Sequence, residues 1–445
     1  MQKTASKKVI NGWAMYDWAN SVYSLVITTT FFPIYFAAST RNAAGGDEVS
    51  FLGRKFINTA LYDYALAAAY LVTALMYPIL ASVADSRGNK KSFMQFFCYM
   101  GAIGCSSLYF FTGDNIGFGI GMFMLGAIGF CGSLVFYNSY LPEIAAPEDR
   151  DRVSAKGFSY GYVGAVALQI IGFLLVMFLP DAGEATRITF MLVGLWWIGF
   201  AQISFRRLPP SVPAVDKHRS SALKEGFLEM KKVYHHVVKL PVLKRYLRAF
   251  FFYSMGVQTV MLAATLFGSK LLSLNETKLI VTIVLIQLVA VVGASLMARF
   301  SAQFGNFRVL IGAVIFWILI CIAAYFTAVI REGGADPEYL FYALAMAVGL
   351  VMGGIQSLSR STYAKLMPET KDTASFFSYY DLTEKVAIVI GMFTFGFIEE
   401  LTHDHGGMKN SVLSLIVFFA LGLVWLISAL RKEKMVQPIS RHSFP

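Results

Sequence analysis

Apolar runs of about 20 residues recur from one end of this 445-residue chain to the other, each long enough to cross roughly 30 Å of hydrocarbon as a helix. In a bilayer every backbone N–H and C=O must find its partner within the protein, so only helices and closed barrels span it, and runs of this length point to helices. Charged residues make up 15% of the chain, against roughly 25% in a soluble domain. The polar surface needed to stay in water is missing. The expected fold is therefore all-α and polytopic, with spans 1 to 12 at 13–38, 59–82, 93–112, 117–138, 155–179, 187–205, 248–271, 279–300, 309–330, 339–360, 376–398 and 411–430.

The connections are short except for one polar, basic stretch at 206–247. It divides the chain into an N-terminal six-helix bundle (1–205), a linker (206–247), a C-terminal six-helix bundle (248–432) and a tail (433–445). The opening "MQKTASKK" followed by apolar sequence imitates a secretory signal. The apolar run is too long for one and is broken by Asp17, so it reads as a retained first span.

A net charge of +11 would suggest a nucleic-acid partner in a soluble protein; here it sorts by side. With lysines and arginines in the first or last two residues of a span counted with the adjoining loop, 29 fall on the side of the N-terminus, 8 on the other, and Lys385 alone lies in the body of a span. That asymmetry follows the positive-inside rule and predicts a multi-pass protein of the cell (inner or plasma) membrane, with both termini and the linker in the cytoplasm. No nucleic acid is expected to bind. In the linker, Leu223, Phe227, Met230, Tyr234 and Val237 recur at helical spacing between lysines, up to Pro241. This pattern predicts an amphipathic helix on the anionic inner leaflet, with His235 and His236 solvated.

The two halves echo one another. "ASVADSRG" (81–88) follows span 2 and "ARFSAQFG" (298–305) follows span 8. "YLPE" (140–143) and "LMPE" (366–369) close spans 4 and 10, while "FSYGY" (158–162) and "FSYYD" (377–381) open spans 5 and 11. Three pairs in one order indicate a duplicated six-helix unit, so the two bundles are expected to be pseudo-symmetric, with a site between them.

Span 1 carries Asp17, Asn20, Ser24 and Thr28 on one helical face, about a turn and a half from its cytoplasmic end. Acids within a membrane are costly and mostly functional or paired. Span 11 holds Asp381, Glu384 and Lys385; spacing pairs Asp381 with Lys385 one turn away and leaves Glu384 free to exchange a proton. In span 10, Gln356 adds a polar group to the same half, and Arg360 reads as a substrate-carboxylate ligand or as a positive-inside anchor. In "ADSRGNKK", Asp85 can bond a neighbouring helix N-terminus and the turn's own cations, with Arg87 and Gly88 completing a latch between bundles. Cys98, Cys105, Cys131 and Cys321 sit inside apolar runs without ligand spacing. They read as core residues. His403, Asp404 and His405 read as a solvated loop, so no metal or other cofactor is expected. No HExxH, paired-Asp or Ser/His constellation and no GxxxxGK[ST] appears, which argues against an enzyme or a nucleotide-driven pump.

The loop after span 2 resembles the major facilitator superfamily pattern Gly-x-x-x-Asp-Arg-x-Gly-Arg-Arg, with Ala81 for the first Gly, Asp85 and Gly88 matching and Arg87 displaced by one place. "YDWANSVYS" (16–24), "FYNSYLPEIA" (136–145), "YSMGVQT" (253–259) and "GGIQSLSRSTYAKLMPE" (353–369) resemble the superfamily's vacuole-effluxer branch. The resemblance implies a twelve-span, alternating-access carrier, with eukaryotic members linked to amino-acid efflux. It also implies an acid in span 7, where this chain has Met255. A secondary transporter of a small charged or zwitterionic solute is expected, working as a monomer. Proton coupling would run through intramembrane carboxylates, since burial moves such groups toward neutrality. The alternative is a non-transporting membrane receptor on the same fold; it would lose the polar cavity face that spans 1, 10 and 11 retain.

Overall fold

In the computed structural model, the structure describes residues 3–41, 46–210, 222–268, 276–334, 337–402 and 407–436. Twelve long helices coincide with the expected spans: Lys7–Ser39, Asn58–Arg87, Lys90–Phe110, Ile116–Ile144, Arg150–Phe178, Ala182–Arg207, Pro241–Leu266, Glu276–Phe304, Asn306–Glu332, Glu338–Leu366, Thr373–Leu401 and Met408–Val436. Ten helices among the described residues are long and apolar enough to cross a membrane by length and composition. The chain is an all-α, polytopic integral membrane protein. The loop at His403, Asp404 and His405, residues 211–221 of the linker and the tail beyond 436 lie outside the described residues.

Helix pairing repeats when six is added to each span number. Span 1 packs on spans 5 and 6, span 3 on spans 4 and 6, and span 2 on span 4. Likewise span 7 packs on spans 11 and 12, span 9 on spans 10 and 12, and span 8 on span 10. The halves meet where span 5 lies on span 8 and span 11 on span 2. Close approach relies on glycine: a side chain at Gly164 would strike Trp18 of span 1, and one at Gly349 would strike Ile286 of span 8. Leu71, Leu75, Phe178, Val292 and Phe393 are exposed, as suits faces turned to lipid.

Three features depart from the sequence-based expectation. Glu48–Phe51 and Arg54–Ile57 form an antiparallel hairpin between spans 1 and 2, so the loop is not wholly irregular. Span 1 begins at Lys7, placing Asp17 ten residues in, about three turns rather than one and a half. Its middle, Tyr23–Phe31, is π-helical. The wider repeat re-routes the backbone bonds there: Leu25 O accepts from Thr29 and Thr30 hydroxyls at 2.9 and 2.8 Å and from Gln169 Nε2 at 2.9 Å. Pro33 has no N–H for the preceding turn, and Tyr62 donates to Thr28 O at 2.6 Å.

The linker helix, Ala222–Lys239, also differs from expectation. Val233 and Val237 are buried where it crosses span 2 and the start of span 11, so this face docks on protein instead of lipid. Lys232 is held between Glu229 at 3.3 Å and Asp372 at 3.1 Å. Partial burial opposes its charge, but the two carboxylates outweigh that and hold the ammonium above the usual lysine range. Leu228, Tyr234 and Val238 remain exposed on the outer face.

Candidate functional site

Between the halves lies a cavity of about 180 Å³, and all eight residues singled out from the sequence line it: Asp17, Asn20, Ser24, Gln356, Arg360, Asp381, Glu384 and Lys385. Spans 1, 10 and 11 thus converge, as their polar faces imply. The wall also includes Tyr70, Tyr77, Phe130, Tyr162, Tyr253 and Tyr380, which the sequence reading missed. Their helices give no local sign of which face turns inward; the polar partners they meet do. Tyr162 donates to Gln356 Oε1 at 2.7 Å, across the two halves.

Arg360 forms the floor. It is 3% exposed, so the anchor reading is wrong: other helices cover the guanidinium instead of letting it reach the surface. Arg360 Nη2 lies 3.4 Å from Asp17 Oδ2, Nε donates to Ser154 Oγ at 2.9 Å, and Nη1 donates to Asn138 Oδ1 at 3.2 Å. The plane is stacked among Phe158 (4.3 Å), Trp13 (4.8 Å) and Tyr137 (5.4 Å). Asp17 Oδ2 also accepts the Tyr137 hydroxyl at 2.6 Å. A Cβ at Gly157 would collide with the Asp17 carboxylate and lie 3.0 Å from Arg360 Nη2. The glycine makes room for the pair.

The span 11 cluster is wired differently from expectation. Lys385 Nζ lies 3.6 Å from Glu384 Oε2 and 4.9 Å from the Tyr70 ring centroid, and Gln258 Nε2 donates to Glu384 Oε1 at 3.0 Å. Glu384 is therefore the engaged carboxylate. Among the described residues Asp381 makes one hydrogen bond, from Asn138 Nδ2 at 3.4 Å, and its Oδ2 has no partner. Residues four apart face each other on a helix and adjacent ones do not, so spacing favoured Asp381; the side chains of spans 2 and 7 beside Lys385 and Glu384 bring the two adjacent residues together instead. Met255 is buried against Gly391 of span 11, away from the cavity wall.

On the face that carries Thr4 and Glu433, two aspartates join the halves, among other contacts such as Arg150 Nη1 to Ala364 O at 2.7 Å. Asp85 accepts from the N–H groups of Ala374 (3.2 Å) and Ser375 (2.8 Å) and from the Ser375 hydroxyl (2.8 Å), at the start of span 11. Its cation is Lys90, at 3.3 Å, which also donates to Glu143 and to Thr373 at 2.5 Å each. Arg87 is exposed and makes no ion pair among the described residues, so it drops out of the latch; Gly88, at φ +63°, ends span 2. The second contact is the pseudo-symmetric counterpart with donor and acceptor exchanged. Here the acid, Asp151, stands at the start of span 5, and it accepts from Ser301 (2.7 Å), Asn306 (2.8 Å) and Lys365 (2.5 Å). In the paired loops "ASVADSRG" and "ARFSAQFG", Ala302 stands at the position of Asp85, and the acid of this second contact lies on the opposing helix instead.

Twelve long helices in a six-plus-six pairing pattern around a polar cavity define a major facilitator superfamily transporter. Solved structures share the fold. A bacterial homologue of the iron transporter ferroportin in an outward-facing state matches with a TM-score of 0.68 at 12% identity, over 95% of this chain and 98% of that one. The proton:xylose symporter XylE matches with a TM-score of 0.70 at 10% identity, over 95% of each chain. The chain belongs to the vacuole effluxer Atg22-like family, which it matches over residues 5–437. It is 29% identical to the uncharacterized MFS-type transporter YxiO of Bacillus subtilis over 94% of this chain and 93% of that protein. It is 24% identical to autophagy-related protein 22-1 of Penicillium rubens over 97% of this chain and 92% of that protein. It is a transporter, not an enzyme.

Proposed function

We propose that this transporter moves a small solute bearing both charges, of the amino-acid class, by alternating access between two pseudo-symmetric six-helix bundles, coupled to protons. The observation that carries the reading is the cavity's charge: Asp17, Asp381 and Glu384 face Arg360 and Lys385 within one wall. Intramembrane charges lining a cavity mark solute and ion paths. The family's description as vacuole effluxers supports export of a solute across a membrane. Asp85 and Asp151 act as latches on the terminal face, which the lysine and arginine distribution assigns to the cytoplasm. The protein then sits as a monomer in the cell membrane, with the outer face of the linker helix toward the anionic inner leaflet.

A solute panel offered to purified protein in liposomes, with and without a pH gradient, tests the transport reading. Uptake of amino acids that responds to the gradient is expected; uptake of sugars or dicarboxylates alone would overturn it. Cysteine labelling at Asn410 tests the orientation, and labelling from outside intact cells is expected.

A further inference from the structure

Among the described residues, two polar groups on the cavity wall have no partner. Asp381 Oδ2 accepts no hydrogen bond although the residue is 4% exposed, and Asn20, 1% exposed on span 1, has neither amide atom engaged. Both face the same cavity. Buried polar groups in native proteins are nearly always satisfied, and an exception calls for an explanation. The other charges in the wall are already matched, Asp17 by Arg360 and Glu384 by Lys385. What is left over is one carboxylate oxygen and one amide, in a wall rich in aromatic rings whose faces attract cations.

We propose that Asp381 Oδ2 and the Asn20 amide form an ammonium subsite, occupied in turn by a protonated amine of the solute and by a proton. This rests on the reading that the cavity carries an amino-acid-class solute, and it identifies the part of the solute that is recognised. With no solute, Asp381 carries the proton on Oδ2 as a neutral acid. When the solute's ammonium docks, that O–H bond breaks and the proton leaves to water on the open face. The ammonium then donates one N–H to Asp381 Oδ2 and one to Asn20 Oδ1. Neutral acid, and carboxylate plus ammonium, give the subsite itself the same net charge, the solute's own carboxylate lying outside it. Neither state leaves Asp381 as an unpaired charge, whereas the bare carboxylate resists desolvation. One amine is exchanged for one proton.

The groups facing Asp381 shape this exchange without replacing it. Arg360 and Tyr363 approach from span 10, Tyr77 from span 2 and Cys131 from span 4, beside Glu384, Lys385 and Tyr380 on its own helix.

The test uses purified full-length protein in weakly buffered detergent at neutral pH, with calorimetry for binding and a pH-indicator dye for proton release. The probes are L-leucine, L-lysine, N-acetyl-L-leucine and 4-methylpentanoate, the last two lacking a free ammonium. Leucine or lysine is expected to bind with release of a proton, while both amine-free probes bind at least about tenfold more weakly. Asp381→Asn should abolish the proton release, and Asn20→Ala should weaken amine binding while the release per bound amine persists. The release signal separates a role in recognition from a merely structural one, since misfolding would lower binding capacity without changing the proton stoichiometry of what still binds. Equal binding of leucine and N-acetyl-leucine, or unchanged proton release in Asp381→Asn, would overturn the subsite and leave the amino-acid reading standing. No binding of any probe by the wild-type protein would overturn both.

Discussion

At the scale of single residues, Gly157 decides whether the cavity floor can exist. A methyl group there would occupy space held by the Asp17 carboxylate and the Arg360 guanidinium. Gly157→Ala is expected to cost about 1–3 kcal/mol, the usual penalty for overpacking, and to lower the melting temperature of the detergent-solubilised protein. Lys385 and Glu384 form a second test. Lys385→Met alone strands a buried carboxylate, at roughly 3–5 kcal/mol for a fully buried pair. Because the Glu384 side chain keeps 22% of its exposure, the smaller figure of about 2 kcal/mol is expected here. Combining it with Glu384→Gln should recover most of that loss, whereas combining it with Asp381→Asn should not; thermal unfolding of the single and double variants measures both. The acids themselves were legible in the sequence, since charge inside an apolar run stands out against its neighbours. Their partners were not. Which of two carboxylates Lys385 meets, and whether Arg360 reaches the surface, depend on Gln258, Tyr70, Trp13 and Phe158, which come from other helices.

At the scale of elements, the terminal face is closed by two carboxylates, each held by groups at helix ends. Asp85, accepting backbone N–H groups at a helix N-terminus, contributes about 1–2 kcal/mol, and Asp151, accepting charge-assisted bonds from side chains, contributes about as much, so each latch alone shifts the conformational balance by roughly tenfold. Asp85→Asn and Asp151→Asn should each raise the reactivity of a cysteine placed on the cavity wall, as in Leu134→Cys, toward a thiol reagent applied from the terminal side. The two together should raise it by about the product of the single effects, because the contacts lie on different helix pairs. Unchanged reactivity in both single variants would remove the latch role. The long helices were legible from their apolar runs, ten of them among the described residues by length and composition, and Asp85 from its turn. The π-helical segment of span 1 was not, although "TTTFFP" holds the ingredients: three hydroxyls able to bond carbonyls and a proline that cannot donate. No apolar pattern distinguishes a five-residue from a four-residue backbone repeat, so the choice falls to tertiary partners such as Gln169 and Tyr62. The docking of the linker helix was hidden for a similar reason. An amphipathic stripe says that one face is covered and leaves open whether lipid or protein covers it.

At the scale of the whole molecule, the repeat is symmetric in shape, while three of its acid contacts across the boundary are one-sided. Asp17, Asp85 and Asp151 all belong to the first half, and the groups that receive them across the boundary all belong to the second: Arg360, the amides of Ala374 and Ser375, and Ser301, Asn306 and Lys365. Two copies of the first half brought together would set Asp85 against a helix that begins with Asp151, acid against acid. Two copies of the second would oppose donors with donors. The halves have become plug and socket, so neither can serve as its own mate. Expressed as two separate polypeptides cut within 211–221, they are expected to co-purify as a one-to-one pair, and neither alone should yield a stable self-paired species in native mass spectrometry. An ancestor that assembled from identical halves would have needed both roles on each copy; once joined in one chain, each copy was free to keep only one.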